Sequence, residues 1–305
     1  MNTRHAQLVL AVVREGSFTA AAKSLFVTQP TLSQQIRQIE QQLGQPIFER
    51  STTPVSLTPA GQIYVQSARR FLQIEAQMNE SLAALSGRQT GLLRLGLPMQ
   101  RADELLPQVL PEFQSAYPDV RLQAVSARND ALEAGLLGGE LDMALLFGEA
   151  ENEKLDYQLI ASDEVILVAG RKTALAQRVP SGSTVSLSAC EGEKFVLPAE
   201  NLPFARKYDE LLARAALSPF VALRTDDSQC AKRVCAACSL VMLCPFITLL
   251  SDTSAMQQLA HYRLSDAFYT PLYMAHPKDM PLTPYAQTLY TIMSNRFRAM
   301  TAYRL

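Results

Sequence analysis

Histidine is scarce in this 305-residue chain: only His5, His261 and His276 occur, and none stands at a metal-ligand spacing from another. There is no Gly-rich phosphate loop and no Gly-x-Ser-x-Gly elbow, and nothing marks a nucleophile with its base. The chain therefore reads as a non-enzyme that needs no cofactor. No apolar run reaches the length of a membrane span. The first sixteen residues, MNTRHAQLVLAVVREG, are broken by Arg14 and Glu15 and show no small-residue cleavage site, so they read as a helix with Val9, Val12 and Val13 inward. Excess basic charge is missing as well. The formal net charge of -1 excludes a generally polybasic coat, so any contact with nucleic acid must be local. Without an export signal, the five cysteines suit a reducing cytoplasm.

What is present is enough for two or three folded domains: 48% of residues are hydrophobic and 19% charged. Residues 16–57 carry the most informative pattern. An Ala-rich helix is expected over 19–25 and a second over 29–43, separated by a tight turn. On the second, Leu32, Ile36, Ile39 and Leu43 form one apolar stripe, while Gln34, Arg37, Gln38 and Gln41 occupy the opposite face. Gln and Arg read adenine and guanine edges bidentately, which marks this as a recognition helix. Thr28 supplies a cap and Pro30 a preset first turn. The segment from Ile47 to Leu57, with polar residues between two short apolar runs, reads as a wing.

Gly16-Ser17-Phe18-Thr19, Ala21-Ala22, Thr28-Gln29-Pro30-Thr31-Leu32-Ser33, Gln35-Ile36, Ile39-Glu40, Leu43-Gly44, Phe48-Glu49-Arg50 and Leu57-Thr58-Pro59-Ala60-Gly61 resemble the DNA-binding region of the LysR-type transcriptional regulators. The resemblance implies DNA contacts from Ser17, Thr19, Thr28, Gln29, Pro30, Thr31, Ser33, Gln34, Arg37 and Arg50. Thr53, Pro54 and Ser56 stand where family members often carry wing arginines. Residues 1–60 hold five Arg or Lys against three Glu, a net of +2, so hydroxyls, amides and helix N-termini must share the phosphate contacts.

From Thr58 to about Ser86 one long helix is expected. Tyr64, Ala68, Phe71, Glu75, Met78, Leu82 and Leu85 recur at alternating spacings of four and three, a heptad seam interrupted by Glu75. Resemblance to the family implies a coiled-coil dimer through this helix, a homotetramer beyond it, and action on double-stranded promoter DNA and polymerase access. Residues 86–90 form the hinge.

After Gly91 short apolar runs alternate with amphipathic helices, giving an α/β unit with a mainly parallel sheet. Strands are expected over 92–97, 120–125, 141–147, 165–169, 194–197, 222–223, 240–243 and 272–276. Helices are expected over 105–117, 131–137, 206–216, 227–237 and 284–302. The family layout implies two Rossmann-like subdomains of the periplasmic-binding-protein type 2, with 91–161 and 269–305 in the first and 162–268 in the second. Residues 1–58 would be the winged helix-turn-helix and 59–90 the linker.

Loops at the C-terminal ends of strands should line an effector cleft between those subdomains. They hold Met99, Gln100, Arg101, Asn129, Phe147, Gly148, Pro198, Ala199, Asn201 and Asp226. Arg101 favours a carboxylate ligand, whereas Asp226 and Asp227 favour a cation or hydroxyl donor. Cys230, Cys235, Cys238 and Cys244 cluster in one segment, and Cys238 and Leu240 stand where family members commonly show glycine. The cysteines read first as small buried hydrophobes, and a thiol- or metal-responsive regulator is the alternative. A small-molecule-binding α/β protein without a DNA role would leave the first ninety residues without purpose.

Overall fold

The computed structural model describes residues 2–49, 54–85, 89–98, 102–148, 150–200, 202, 204–250 and 257–302. Arg50, Met99, Gln100, Arg101 and Asn201 lie outside the described residues, as does the side chain of Leu85.

Three helices build the N-terminal unit: α1 (Thr3–Glu15), α2 (Phe18–Ser24) and α3 (Gln29–Leu43). Two short strands follow, β1 (Phe48–Glu49) and β2 (Ser56–Leu57), antiparallel with Phe48 opposite Leu57. Leu8, Val9, Val12, Ala21, Leu32, Ile36, Ile39 and Ile47 form the shared core. Leu43, expected in the same stripe, is 46% exposed. The helix ends there, the chain turns away at Gly44 in the left-handed region (φ 69°), and the last turn stays at the surface.

Helix α4 (Pro59–Leu85) has 27 residues and is about 40 Å long at 1.5 Å per residue. Thr58 starts it: its Oγ1 accepts from Gly61 N at 2.9 Å and donates to Pro46 O at 2.6 Å. A Cβ at position 61 would lie 2.0 Å from Ile47 O, so only glycine lets the helix cross this close to the wing.

The C-terminal part is one long mixed sheet in two halves. Strands β3 (Gly91–Pro98), β4 (Val120–Ala127) and β5 (Met143–Phe147) are parallel, with α5 (Ala102–Ala116) and α6 (Asn129–Leu137) as crossovers. Strand β6 (Leu155–Gly170) then leads into the second half, through α7 (Ala174–Arg178) and β7 (Thr184–Val185). There β8 (Lys194–Pro198), β9 (Phe220–Thr225) and β10 (Val241–Pro245) are parallel, with α8 (Ala205–Arg214) and α9 (Ser228–Cys238) between them. The chain goes on through α10 (Phe246–Leu250), β11 (Leu259–Leu264), β12 (Phe268–Pro277) and α11 (Pro284–Ala302). The order is β4-β3-β5-β12-β6-β10-β8-β9, with β11 against β6 and β7.

Two strands hold the halves together. The first part of β6 pairs antiparallel with β12, and its last residues pair with β10 and β11. The sequence pattern marked only 165–169 of β6. Over 155–164 the strand reads LDYQLIASDE and is covered on one side only, so half its residues stay polar and the apolar run that announces a buried strand is absent. Strand β11 and helix α7 were likewise not expected from the pattern. At the junction Arg263 holds Glu164 bidentately, Nε–Oε1 at 3.0 Å and Nη2–Oε2 at 2.9 Å. One core gathers Leu95, Phe113, Met143, Met274, Leu289 and Phe297, and another Leu167, Phe195, Tyr208, Val241 and Tyr262.

Candidate functional site

Local capping fixes the geometry of the helix-turn-helix. Ser17 Oγ accepts from Ala20 N at the start of α2. Thr28 Oγ1 accepts from Thr31 N at 3.3 Å and lies 2.8 Å from Thr31 Oγ1, with Pro30 in the first turn. Glu40 Oε1 accepts from Ile47 N at 2.9 Å and Phe48 N at 3.3 Å, tying the recognition helix to the base of the wing. Phe18 and Phe48 meet edge to face at 5.5 Å. Thr19, Thr28, Gln29, Pro30, Thr31, Gln34 and Arg37 are all exposed, with Gln38 and Gln41 continuing the same face of α3. Ser17 is half-buried under its cap role, and Ser33 departs from the group: it is buried, because position 33 sits beside Leu32 and Ile36 on the core side. Phe26, in the turn just before Thr28, is 96% exposed with φ 55°.

The linker helix has three faces. Tyr64, Val65 and Ala68 are buried in the N-terminal core, so the first two members of the expected seam pack within their own chain. Glu75 belongs to that side too, since Thr3 Oγ1 donates to its Oε1 at 2.7 Å. The exposed apolar stripe is instead Phe71, Ile74, Met78 and Leu82, with Ile63 further back. Phe71, Met78 and Leu82 are common to the expected seam and the observed stripe; Ile74 replaces Glu75, which bonds Thr3, and Tyr64 and Ala68 are taken up by the helix's own domain.

The third face docks on the first half of the sheet. Gln66 Nε2 donates to Leu137 O at 2.7 Å, Arg69 pairs with Glu140 at 2.7 Å, and Arg70 pairs with Asp279 at 2.9 Å. Gln73 Nε2 donates to Asp142 Oδ1 at 2.5 Å, and Arg94 N donates to Asp142 Oδ2 at 2.6 Å. Further along, Tyr285 OH donates to Glu80 Oε2 at 2.5 Å. Burial pushes the Asp142 carboxyl up from its ordinary value, opposed by the Arg94 amide and charge. Burial, then the Glu80 hydrogen bond, pushes the Tyr285 hydroxyl up. Sequence reasoning missed these residues. Their polar stripe at helical spacing was visible, but it looks the same as a solvated helix face.

The expected effector loops fall into two groups. In the first half, Asn129 Nδ2 donates to Phe147 O at 2.6 Å, and Gly148 N donates to Pro271 O at 3.1 Å. In the second, Arg224 Nη1 donates to Pro198 O at 3.0 Å and Ala199 N donates to Thr225 O at 2.9 Å, beside exposed Asp226. Both groups lie at the C-terminal ends of parallel strands, where open α/β sheets offer ligand sites. Asn129 already spends its amide on the β5 backbone, which fits a loop-shaping role.

Cys190, Cys235 and Cys244 are buried, whereas Cys230 and Cys238 are exposed. Burial, reinforced by Glu193, pushes the Cys190 thiol up to about 12, and burial likewise pushes Cys235 up. The turn after α9 is closed by Ser239 at φ 54°, a left-handed position taken without glycine.

A capped helix-turn-helix with an amide-rich exposed face, joined by a long helix to a two-part α/β ligand-binding fold, defines a ligand-regulated DNA-binding protein. Comparison with known proteins gives the family. Residues 3–62 match the bacterial regulatory helix-turn-helix protein, lysR family, and residues 86–298 match the LysR substrate binding domain. The chain belongs to the LysR family of transcriptional regulators, with a DNA-binding helix-turn-helix and an effector-binding domain. It is 28% identical over 253 residues to the uncharacterized HTH-type transcriptional regulator YcgK of Bacillus subtilis (strain 168), covering 77% of each chain. Full-length BenM is similar at 26% identity and TM-score 0.59, covering 99% of this chain and 98% of that one. Full-length CbnR complexed with its target DNA shares the fold at 23% identity and TM-score 0.65, covering 97% and 99%.

Proposed function

We propose that α3 enters the DNA major groove with Thr31, Gln34 and Arg37 toward base edges and Thr28, Gln29, Pro30 and Thr19 toward the backbone. Ser17 acts through its cap, Ser33 from the core side, and Arg50 extends the contact along the wing. The observation that carries this reading is the continuous exposed face of polar side chains on a helix fixed at both ends by Thr28 and by Glu40. Residues 1–58 form the DNA-binding domain and 59–90 the linker; 91–161 with 269–305, and 162–268, form the effector subdomains. The chain works in the cytoplasm, without catalysis, as a dimer through Phe71, Met78, Leu82 and Leu85 and as a tetramer of such dimers. A small-molecule effector, a carboxylate if Arg101 faces the cleft, binds among Met99, Gln100, Arg101, Asn129, Phe147, Gly148, Pro198, Ala199, Asn201 and Asp226. It shifts the subdomain angle and with it polymerase access at the promoter.

The test is binding of the full chain to the DNA flanking its own gene against an unrelated fragment, with Arg37→Ala alongside. Loss of one bidentate base contact should cost about 1–3 kcal/mol of discrimination. Unchanged affinity and discrimination in Arg37→Ala would show that α3 does not read the bases.

A further inference from the structure

Between the linker helix and the first half of the sheet lies an open cleft of about 490 Å³, counting space continuous with solvent. Its walls come from two parts of the chain: Gln73, Ala76 and Glu80 on α4 face Leu93, Asp142 and Leu282 on the effector side. Nothing in the inter-subdomain reading above uses this space.

The walls carry two carboxylates, Glu80 and Asp142, and one guanidinium, Arg94. Gln73 is only 7% exposed, and its amide nitrogen is committed to Asp142. Its Oε1 is buried and has no hydrogen-bond partner among the described residues. An orphaned carbonyl oxygen in such a position costs free energy until a donor reaches it. Glu80 offers the second acceptor: Tyr285 donates to Oε2, and Oε1 lies against Gly91, where a Cβ would come within 3.0 Å. Asp142 adds a carboxylate beside Gln73. Arg94 also lines the cleft, but its Nη1 is 3.8 Å from Asp142 Oδ1, beyond hydrogen-bond reach. Two carboxylates against one guanidinium leave the cleft with a net negative charge.

The spacing narrows the ligand further. Residues 73 and 80 are two turns apart on one face of α4, with their backbone positions about 10 Å apart along the axis. Ala76, Leu93 and Leu282 line the space between them with apolar surface. We propose that this cleft binds a linear aliphatic diammonium ion, one ammonium at Glu80 and the other at Gln73 and Asp142, and that the occupant clamps the linker helix onto the effector domain. An anion meets two carboxylates there, and a monocation satisfies one pole and leaves the other open. Because the walls belong to linker and effector domain alike, the ligand binds only when the two are docked, and so links its own concentration to that docking.

The test is titration calorimetry of the full chain with 1,5-diaminopentane and with n-pentylamine. The diamine should bind at least about tenfold tighter, the equivalent of one added charged contact. Glu80→Gln retains an acceptor for Tyr285 and should erase that preference. Ala76→Phe, at an exposed helix position, should fill the cleft and abolish binding of both amines with the fold intact. Bound diamine should also slow amide hydrogen exchange in α4 over residues 66–80. Equal affinity for the two amines, no binding, undiminished binding in either variant, or unchanged exchange would each overturn the proposal. None of these readouts involves DNA or the inter-subdomain loops, so their failure is separate from failure of the promoter reading.

Discussion

Thr3, at the start of the first helix, donates its hydroxyl to Glu75, halfway along the linker, at 2.7 Å. The bond joins residues 72 positions apart and holds the linker helix against the domain it leaves. It also fixes the helix rotation, since Tyr64, Val65 and Ala68 face the same way. Glu75→Leu should therefore weaken the N-terminal unit by about 1 kcal/mol through loss of a charge-assisted bond. It should leave subunit association unchanged in sedimentation equilibrium. Tighter association would put position 75 back in a subunit seam.

The surface left for a partner helix is Phe71, Ile74, Met78 and Leu82. Ile74 is 55% exposed, so Ile74→Asp should leave monomer stability within about 0.5 kcal/mol of wild type. The dimer dissociation constant should rise about tenfold or more. Analytical ultracentrifugation across a dilution series, with melting of the variant, separates the two effects.

Among the described residues three non-glycine residues hold left-handed backbone at turns, Phe26 at φ 55°, Ala216 at φ 52° and Ser239 at φ 54°. Phe26 is almost wholly exposed and gains no packing in return for the strain. Phe26→Asn and Ser239→Gly should each stabilise the protein by about 0.5–1 kcal/mol in urea unfolding. A loss of stability at either site would mean that the side chain makes compensating contacts.

The thiols should divide by burial. Cys230 and Cys238 are open to reagent, whereas Cys190, Cys235 and Cys244 are closed. With the Cys190 pKa near 12, its thiolate fraction at pH 8 is about a thousandfold below that of an ordinary thiol. Iodoacetamide on the native protein, followed by peptide mass spectrometry, should label positions 230 and 238 first and the other three only after unfolding.

Local chemistry was legible in the sequence. Thr28 and Pro30 announce the start of α3, and Gly44 its end, because caps and left-handed turns depend on residue type within one helical turn. The linker start at Thr58 and the α/β alternation beyond Gly91 followed from the same short-range rules. The family resemblance rested on these stretches, so the helix-turn-helix and the effector-domain fold could be anticipated together. Tertiary structure alone decided which face of α4 meets which neighbour. Periodicity shows that a helix has an apolar stripe and a polar stripe, but it cannot show that Ala68 goes into its own domain while Ile74 stays free. Gln73 and Asp142 meet across 69 positions, and a hydrogen bond between distant polar residues leaves no local trace. The ten polar-rich residues that lengthen β6 were hidden for a related reason: the strand is stabilised by pairing with β12, a partner more than a hundred residues away, and not by an apolar pattern of its own.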